Sequence, residues 1–278
     1  MIQHTFVDRV EEMKFLEKEY QKHDATFLIL YGRRRIGKTE ILLQFLKSNN
    51  GIYFLASEEG TRQNIEAFSD QCSLFLEDES FHNAQYTSYE NLFSSFVHHV
   101  NFSRACQKGK IVIIFDEFPY LISSDRSIPS QFQKIWDTIL SQYPIMFIVS
   151  GSSISIMESD VLGYKSPLYG RRSGQWRVNP LQFRYLEQFL PWSQTDLVHV
   201  YAVLGGIPAY LLKFEKSLPF WENVTANILE KGSYLYHEAE LLLNYEFREP
   251  GNYMVLLKHD FRANQKNGQD KHNHYIVL

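Results

Sequence analysis

The chain has 278 residues, 44% hydrophobic and 15% aromatic, which suffices for one large domain or a core with a smaller companion. A formal charge of −4, from 28 basic and 32 acidic residues, removes any global electrostatic case for nucleic acid. The two cysteines, Cys72 and Cys106, lack metal-ligand spacing and are expected to be reduced thiols of a cytosolic protein.

The first residues, Met1 to Phe6, carry no basic segment followed by an apolar run, so no signal peptide is expected. No apolar stretch approaches the roughly 20 residues that span a bilayer. The expectation is a soluble, cytoplasmic protein without a membrane partner. Strand candidates follow at 27–31, 51–56, 111–115, 145–150 and 175–178, nearly continuous in apolarity, as suits a parallel sheet covered on both faces. Helical patterns at 37–48, 61–77, 88–104, 130–142 and 153–158 lie between them, so the alternation predicts a three-layer α/β/α fold with a parallel sheet. After Asn179-Pro180-Leu181 the strand signal ends. Segments 182–190, 194–204, 207–214, 219–231 and 234–248 read as helices broken by Pro191, Gly205-Gly206, Pro208 and Pro219. The expected organisation is a core over 1–181, a helical lid over 182–258 and a polar tail over 259–278 with too little apolar surface to fold alone.

The loop between the first strand and its helix carries the chemistry. Gly32-Arg33-Arg34-Arg35-Ile36-Gly37-Lys38-Thr39 matches G-x-x-x-x-G-K-[ST] in the strand–loop–helix context that makes the pattern a phosphate-binding loop. Its glycines let successive N–H groups turn inward, and the helix N-terminus adds its positive end. Lys38 is placed to reach the β- and γ-phosphates, and the Thr39 hydroxyl to bind Mg²⁺. Gly32, Arg33, Arg34, Arg35, Ile36, Gly37, Lys38, Thr39 and Glu40 are therefore the nucleotide-binding candidates. Ile111-Val112-Ile113-Ile114-Phe115-Asp116-Glu117 is the second signal. A buried strand ending in carboxylates puts Asp116 at the sheet mouth beside Mg²⁺, and Glu117 where it polarises the attacking water. No Asn-Lys-x-Asp motif follows, which argues against a GTPase.

Ser150-Gly151-Ser152-Ser153 ends the fourth strand, and two roles stay open there. Ser152 contacts the attacking water or γ-phosphate, or Ser152 or Ser153 caps a helix. Arg171 and Arg172 precede the last strand, where an arginine contacts phosphates in cis, reaches a neighbouring subunit, or is solvated or paired with an acid. His98-His99, His237 and His272-Asn273-His274 form no ligand set.

Taken together, the residues resemble the archaeal-type ATPases of the STAND class, P-loop proteins related to AAA+. The matches are Phe6-Val7-Asp8-Arg9 with Glu12, the phosphate loop, Tyr53-Phe54, Phe115 to Leu121, Ser150 to Ser153, Pro167 to Arg172, Gly205 to Leu211, and Arg248-Glu249-Pro250 with Tyr253. The resemblance implies a sheet ordered 5-1-4-3-2, with Phe6, Val7 and Arg9 near adenine. It also implies that Gly206-Ile207-Pro208 is the G-x-P element through which the helical region senses nucleotide. Family members commonly continue into a winged helix and, in one branch, a nuclease-like domain. The last twenty residues lack that pattern, so either a shortened chain or an altered reading frame is expected.

The leading expectation is an ATP- and Mg²⁺-dependent switch with slow hydrolysis, in which Lys38, Glu117, Ser152 and Arg171 serve catalysis and Thr39 and Asp116 hold the metal. A non-hydrolysing ADP- or ATP-binding module, and an oligomeric DNA-processing ATPase using Arg171 or Arg172 across a subunit boundary, stand as alternatives. A protein partner or self-association accompanies these readings.

Overall fold

Six residues buried along their whole length form β1, Thr26–Tyr31, and an equally buried run forms β3, Ile111–Asp116. Strands without an exposed face need cover on both sides, which a parallel sheet with crossover helices provides. The computed structural model describes residues 6–246, 251–253 and 255–256. The chain divides into two units, Met1–Asn179 and Pro180–Leu278.

In the first unit the elements run α1 (Val10–Tyr20), β1, α2 (Lys38–Leu46), β2 (Gly51–Leu55), α3 (Thr61–Leu76), α4 (Ser80–Asn83), α5 (Tyr89–Val97), α6 (Val100–Cys106), β3, α7 (Phe118–Ser124), α8 (Ile128–Thr138), β4 (Ile145–Gly151), α9 (Ile154–Ile156) and β5 (Gly174–Arg177). All strand pairs are parallel, in the order β2-β3-β4-β1-β5. Read from the other edge this is 5-1-4-3-2, so β4 separates the strand of the carboxylates from the strand of the loop.

Alternation divides the sheet's side chains between two cores. Leu28, Leu30, Val112, Ile114, Met146 and Ile148 pack with Leu16 of α1 and with Ile41, Leu42 and Phe45 of α2. Phe27, Ile29, Ile113, Phe115, Phe147 and Val149 face α3, α5, α7 and α8. Phe115 is the hub of that second core, its ring 4.7 Å from Phe68, 4.9 Å from Phe54, 5.2 Å from Phe132 and 5.6 Å from Phe147.

Three local departures from the expected elements have identifiable causes. The helix expected over 88–104 is broken at His98-His99. His99 turns extended (ψ 141), and its Nδ1 accepts from the Asn101 amide at 3.1 Å while Nε2 faces Asp78 Oδ2 at 2.9 Å, so one imidazole ends α5 and starts α6. The helix expected over 130–142 is α8 followed by a 3₁₀ turn, Leu140–Gln142, after Ile139 leaves helical geometry. Helices α1 and α7 carry no expectation above. The buried face of α1 includes Glu12 and Glu19, which blurs its apolar stripe, and α7 has seven residues.

The second unit holds a 3₁₀ segment, Phe183–Gln188, then α10 (Gln194–Leu204), α11 (Pro208–Leu211), α12 (Phe220–Val224) and α13 (Glu238–Glu246). Leu186, Leu197, Val200, Leu204, Leu211, Phe220 and Val224 are buried. The segment expected as helix over 219–231 continues from α12 as a π turn, Thr225–Leu229. The Asn223 carboxamide satisfies the chain that enters α12, accepting from the Glu215 amide at 2.6 Å and donating to the carbonyls of Glu215 and Leu218. Arg248-Glu249-Pro250 and the tail from 259 lie outside the described residues.

Replacing the hub, Phe115→Ala, is expected to cost about 3–5 kcal/mol of unfolding free energy, because four ring neighbours cannot all collapse into the space. Urea denaturation that shifts by under about 1 kcal/mol would show the cluster to be adaptable rather than tightly packed.

Candidate functional site

The C-terminal ends of β1, β3 and β4 form the mouth of the sheet, where ligands of α/β folds sit. β1 ends at Tyr31 and the chain turns at once into the loop. The Gly32 amide donates to the Gly151 carbonyl at 3.4 Å, anchoring the turn to β4. A Cβ at Gly32 would stand 2.4 Å from the Val178 carbonyl oxygen, so only glycine allows this approach. Gly37 enters α2 with φ 92, a conformation that side chains resist.

The Lys38 ammonium is buried inside the curl, donating to the carbonyls of Gly32 and Arg33 at 3.0 Å each. Burial pulls its pKa below the ordinary lysine range. The carboxylates of Glu117 and Asp116 oppose that shift and the Arg34 guanidinium adds to it. Lys38 therefore shares one electrostatic field with Arg34, Asp116 and Glu117.

Thr39 Oγ1 donates to Asp116 Oδ2 at 2.6 Å. The loop's hydroxyl and the strand's carboxylate, expected together from sequence, thus meet across 77 residues. Asp116 is fully buried and takes further bonds from the Tyr53 hydroxyl (2.9 Å) and from the Glu117 amide (3.0 Å to Oδ1). Burial first, and then the neighbouring Asp116 charge, push the Tyr53 phenol well above its usual pKa, which keeps it a donor. Sequence reasoning quoted Tyr53 but gave it no role. Its signal is register: Tyr53 pairs with Ile114, two residues before Asp116, and so shares the carboxylate's face.

Glu117 adopts a left-handed conformation (φ 52) that turns its side chain toward β4. There the hydroxyl of Ser152 (2.7 Å) and its amide (3.1 Å) both donate to Glu117 Oε2. Ser152 thus grips the carboxylate in this structure. It caps no helix: the residue preceding α9 is Ser153, whose side chain makes no capping bond. Phe115 pairs with Val149, so Ser150 is level with Asp116 one strand away and on the same face. Its buried hydroxyl finds no hydrogen-bond partner among the described residues, a polar atom at the mouth that was not singled out from sequence.

Arg9 braces the loop from behind. It is buried, left-handed (φ 68), and donates to Glu12 Oε1 at 3.0 Å, to the Asn179 carbonyl at 2.8 Å and to the Ile36 carbonyl at 2.6 Å. Val7 beside it is buried, and Phe6 packs on the same core as α2. Arg33 is exposed, Arg34 and Arg35 are half-buried, and Glu40 is exposed on the first turn of α2. The Arg34 guanidinium donates to the Tyr120 hydroxyl at 2.6 Å.

Arg171 stands elsewhere. It precedes β5, and Ser173 exchanges hydrogen bonds with Phe27 near the start of β1. From there to Gly32 is roughly 16 Å of strand, at about 3.3 Å per residue. The Arg171 guanidinium pairs with Asp137 at 3.1 Å, at the end of α8, and Arg172 lies over the Tyr169 ring. Neither contacts phosphates in cis: both lie at the N-terminal end of the strands, opposite the end that carries the loop. Pro208 opens α11 in the second unit. Among the described residues no group of three or more His, Cys, Asp or Glu is placed to hold a metal, and no helix is long and apolar enough to cross a membrane.

Residues 6–214 match the family described as an ATPase domain predominantly from Archaea. The chain belongs to this family. It is 37% identical over 256 residues to an uncharacterized protein of Methanocaldococcus jannaschii, covering 91% of this chain and 53% of the relative. It thus spans about half of that relative's length. A 43-residue stretch is 49% identical to an uncharacterized ATP-binding protein of the same organism, over 16% of this chain and 73% of the relative. Among solved structures, the Walker-type ATPase of Pyrococcus abyssi superposes with TM-score 0.56 at 21% identity, covering 94% of this chain and 77% of that one. The Aeropyrum pernix ORC2 protein, solved in ADPNP–ADP complexes, gives TM-score 0.57 at 15% identity, covering 81% and 71%. At these identities the structural likeness establishes the P-loop α/β fold alone.

In this archaeal-type ATPase domain the Arg9–Glu12 pair is buried on both sides, so removing one partner strands the other. Arg9→Met is expected to lower stability by about 3–5 kcal/mol, and the double variant Arg9→Met/Glu12→Met to recover at least half of it. Strictly additive losses in the double-mutant cycle would exclude that coupling.

Proposed function

We propose that this domain binds ATP on the 32–39 loop and hydrolyses it slowly, as a nucleotide-controlled switch. The observation that carries the reading is the meeting of Lys38, Thr39, Asp116 and Glu117 at one end of the sheet. Separated by up to 79 positions in sequence, they bring an ammonium, a hydroxyl and two carboxylates into one field. Family membership and the name of the ATP-binding relative support adenine as the base, with Phe6 and Val7 as the apolar surface proposed for it.

Thr39 and Asp116 offer hard oxygen donors side by side, the donor set that Mg²⁺ prefers, and their 2.6 Å bond is the contact that cation binding would replace. When bound there, Mg²⁺ would neutralise charge on the β- and γ-phosphates. Everything else is the work of the chain's own groups. The inward amides and Lys38 hold the polyphosphate, and Glu117 takes a proton from the attacking water. Ser152 sets the direction of that carboxylate by gripping one of its oxygens, and so acts as a positioning residue. With Arg171 at the far end of the strands, turnover is expected on the order of 10⁻⁴ to 10⁻² per second, a rate that serves a switch and not a motor. The helical second unit is the part proposed to answer to the γ-phosphate, through Gly206-Ile207-Pro208.

Lys38→Ala is expected to abolish ATP binding measured by calorimetry. Glu117→Gln should bind ATP with nearly unchanged affinity and lose about 10²- to 10⁴-fold in phosphate release. Undiminished turnover in Glu117→Gln would remove that residue from the chemistry, and ATP uptake by Lys38→Ala would move the site off this loop.

A further inference from the structure

Three arginines crowd the loop, yet a phosphate loop needs only its glycines, its lysine and its hydroxyl to hold a polyphosphate. Arg33 is exposed to solvent and Arg35 takes the left-handed turn of the loop (φ 68). The guanidinium of Arg34 is tied across the mouth of the site. It donates to the hydroxyl of Tyr120 on α7, at 2.6 Å. The Tyr120 amide in turn donates to the Glu117 carbonyl at 2.9 Å, so Tyr120 lies one helical turn beyond the proposed general base. On the other side, the Arg34 charge is near enough to depress the pKa of the Lys38 ammonium. The guanidinium is thus bracketed by the lysine of the loop and the helix that follows Glu117.

We propose that Arg34 is a catalytic residue, an arginine supplied in cis by the phosphate loop itself to neutralise charge on the γ-phosphoryl group during transfer, and that Tyr120 is its positioning residue. The inference rests on the hydrolysis reading above and names the cation that reading lacks once Arg171 is placed at the opposite end of the strands.

The step balances as follows. The water oxygen forms a bond to the γ-phosphorus while the bond from phosphorus to the β–γ bridging oxygen breaks, its electron pair leaving with ADP. One water proton passes to the Glu117 carboxylate, and the products are ADP and inorganic phosphate. Negative charge grows on the bridging oxygen and spreads over the γ-oxygens, where a guanidinium's planar fork matches phosphate geometry better than a second ammonium would. The carboxylates of Glu117 and Asp116 offset the repulsion between the two cations, so both are kept at the mouth. Tyr120 fixes the guanidinium's place without adding charge.

Slow GTPases that carry an arginine in cis turn over at about 10⁻² per second, and one without any such arginine at about 4 × 10⁻⁴ per second. Arg34→Ala is accordingly expected to lower the single-turnover rate by about 30-fold, with ATP affinity changed by less than about 3-fold. The affinity for ADP with fluoroaluminate, a mimic of the transferring phosphoryl group, should fall in step with the rate while that for ADP alone holds. Arg34→Lys keeps the charge but not the fork and should retain an intermediate rate, which guards against misfolding of the alanine variant. Tyr120→Phe should lose about 3- to 10-fold in rate at unchanged ATP affinity. If the wild-type domain hydrolyses ATP and Arg34→Ala matches its rate, or loses rate and ATP affinity equally, the inference falls and the hydrolysis reading stands. If the wild-type domain binds ATP but shows no turnover, both fall together.

Discussion

A fully buried carboxylate is the constraint around which this mouth is built. Asp116 ends a strand with no exposed residue, where an unpaired charge would be far too costly to keep. Three groups meet that demand: the hydroxyl of Thr39, the phenol of Tyr53 and the amide of Glu117. Each ties a different element to β3. Thr39 draws in the loop and α2, Tyr53 secures the edge strand β2, and the Glu117 amide fixes the turn into α7. The last bond has a structural cost, because it accompanies a left-handed backbone at a residue with a long side chain. It also has a consequence: the turn aims Glu117 at β4, where Ser152 holds it. The position of the proposed base thus follows from satisfying its neighbour.

The elements that sequence revealed are those whose chemistry is local. Gly32 and Gly37 answer to backbone geometry within eight residues, and the run from Ile111 to Asp116 announces a buried strand without help from the rest of the chain. Proline and glycine marked the change of texture near 180 for similar reasons. What stayed hidden is decided by partners distant in sequence. Ser152 was a candidate for touching water or phosphate, and its bond to Glu117 reaches a carboxylate 35 positions away. Arg171 was a candidate for the phosphates because it precedes a strand near the loop in the sheet; only the direction of β5 shows which end of the strand it occupies. The split of one expected helix at His99 is hidden for the same reason, since Asp78 lies 21 residues upstream. Tyr53 belongs to an intermediate class. Its residue type was plain, but its role needed the β2–β3 register.

The cations at the mouth have their charge and donors answered by groups of the chain itself. Lys38 donates to two loop carbonyls, which satisfies donors that burial would otherwise leave costly and keeps the curl closed around it. ATP binding on this loop would require the ammonium to exchange carbonyl partners for phosphate oxygens, so the net gain per bond is modest. Burial is the largest influence on that ammonium, and the carboxylates of Glu117 and Asp116 each outweigh the repulsion from Arg34.

The bracing of the loop extends the same reasoning to the end of the first unit. Arg9 is the group that touches both the Ile36 carbonyl, inside the loop, and the Asn179 carbonyl, at the last residue before the second unit begins. Both bonds are made by one planar guanidinium whose charge is matched by Glu12, so neither carbonyl moves without disturbing the other or exposing a buried ion pair. Packing through an apolar core would absorb a shift of a few tenths of an ångström across many soft contacts. A rigid fork with two directed hydrogen bonds instead ties the Ile36 carbonyl to the carbonyl of the last residue of the first unit.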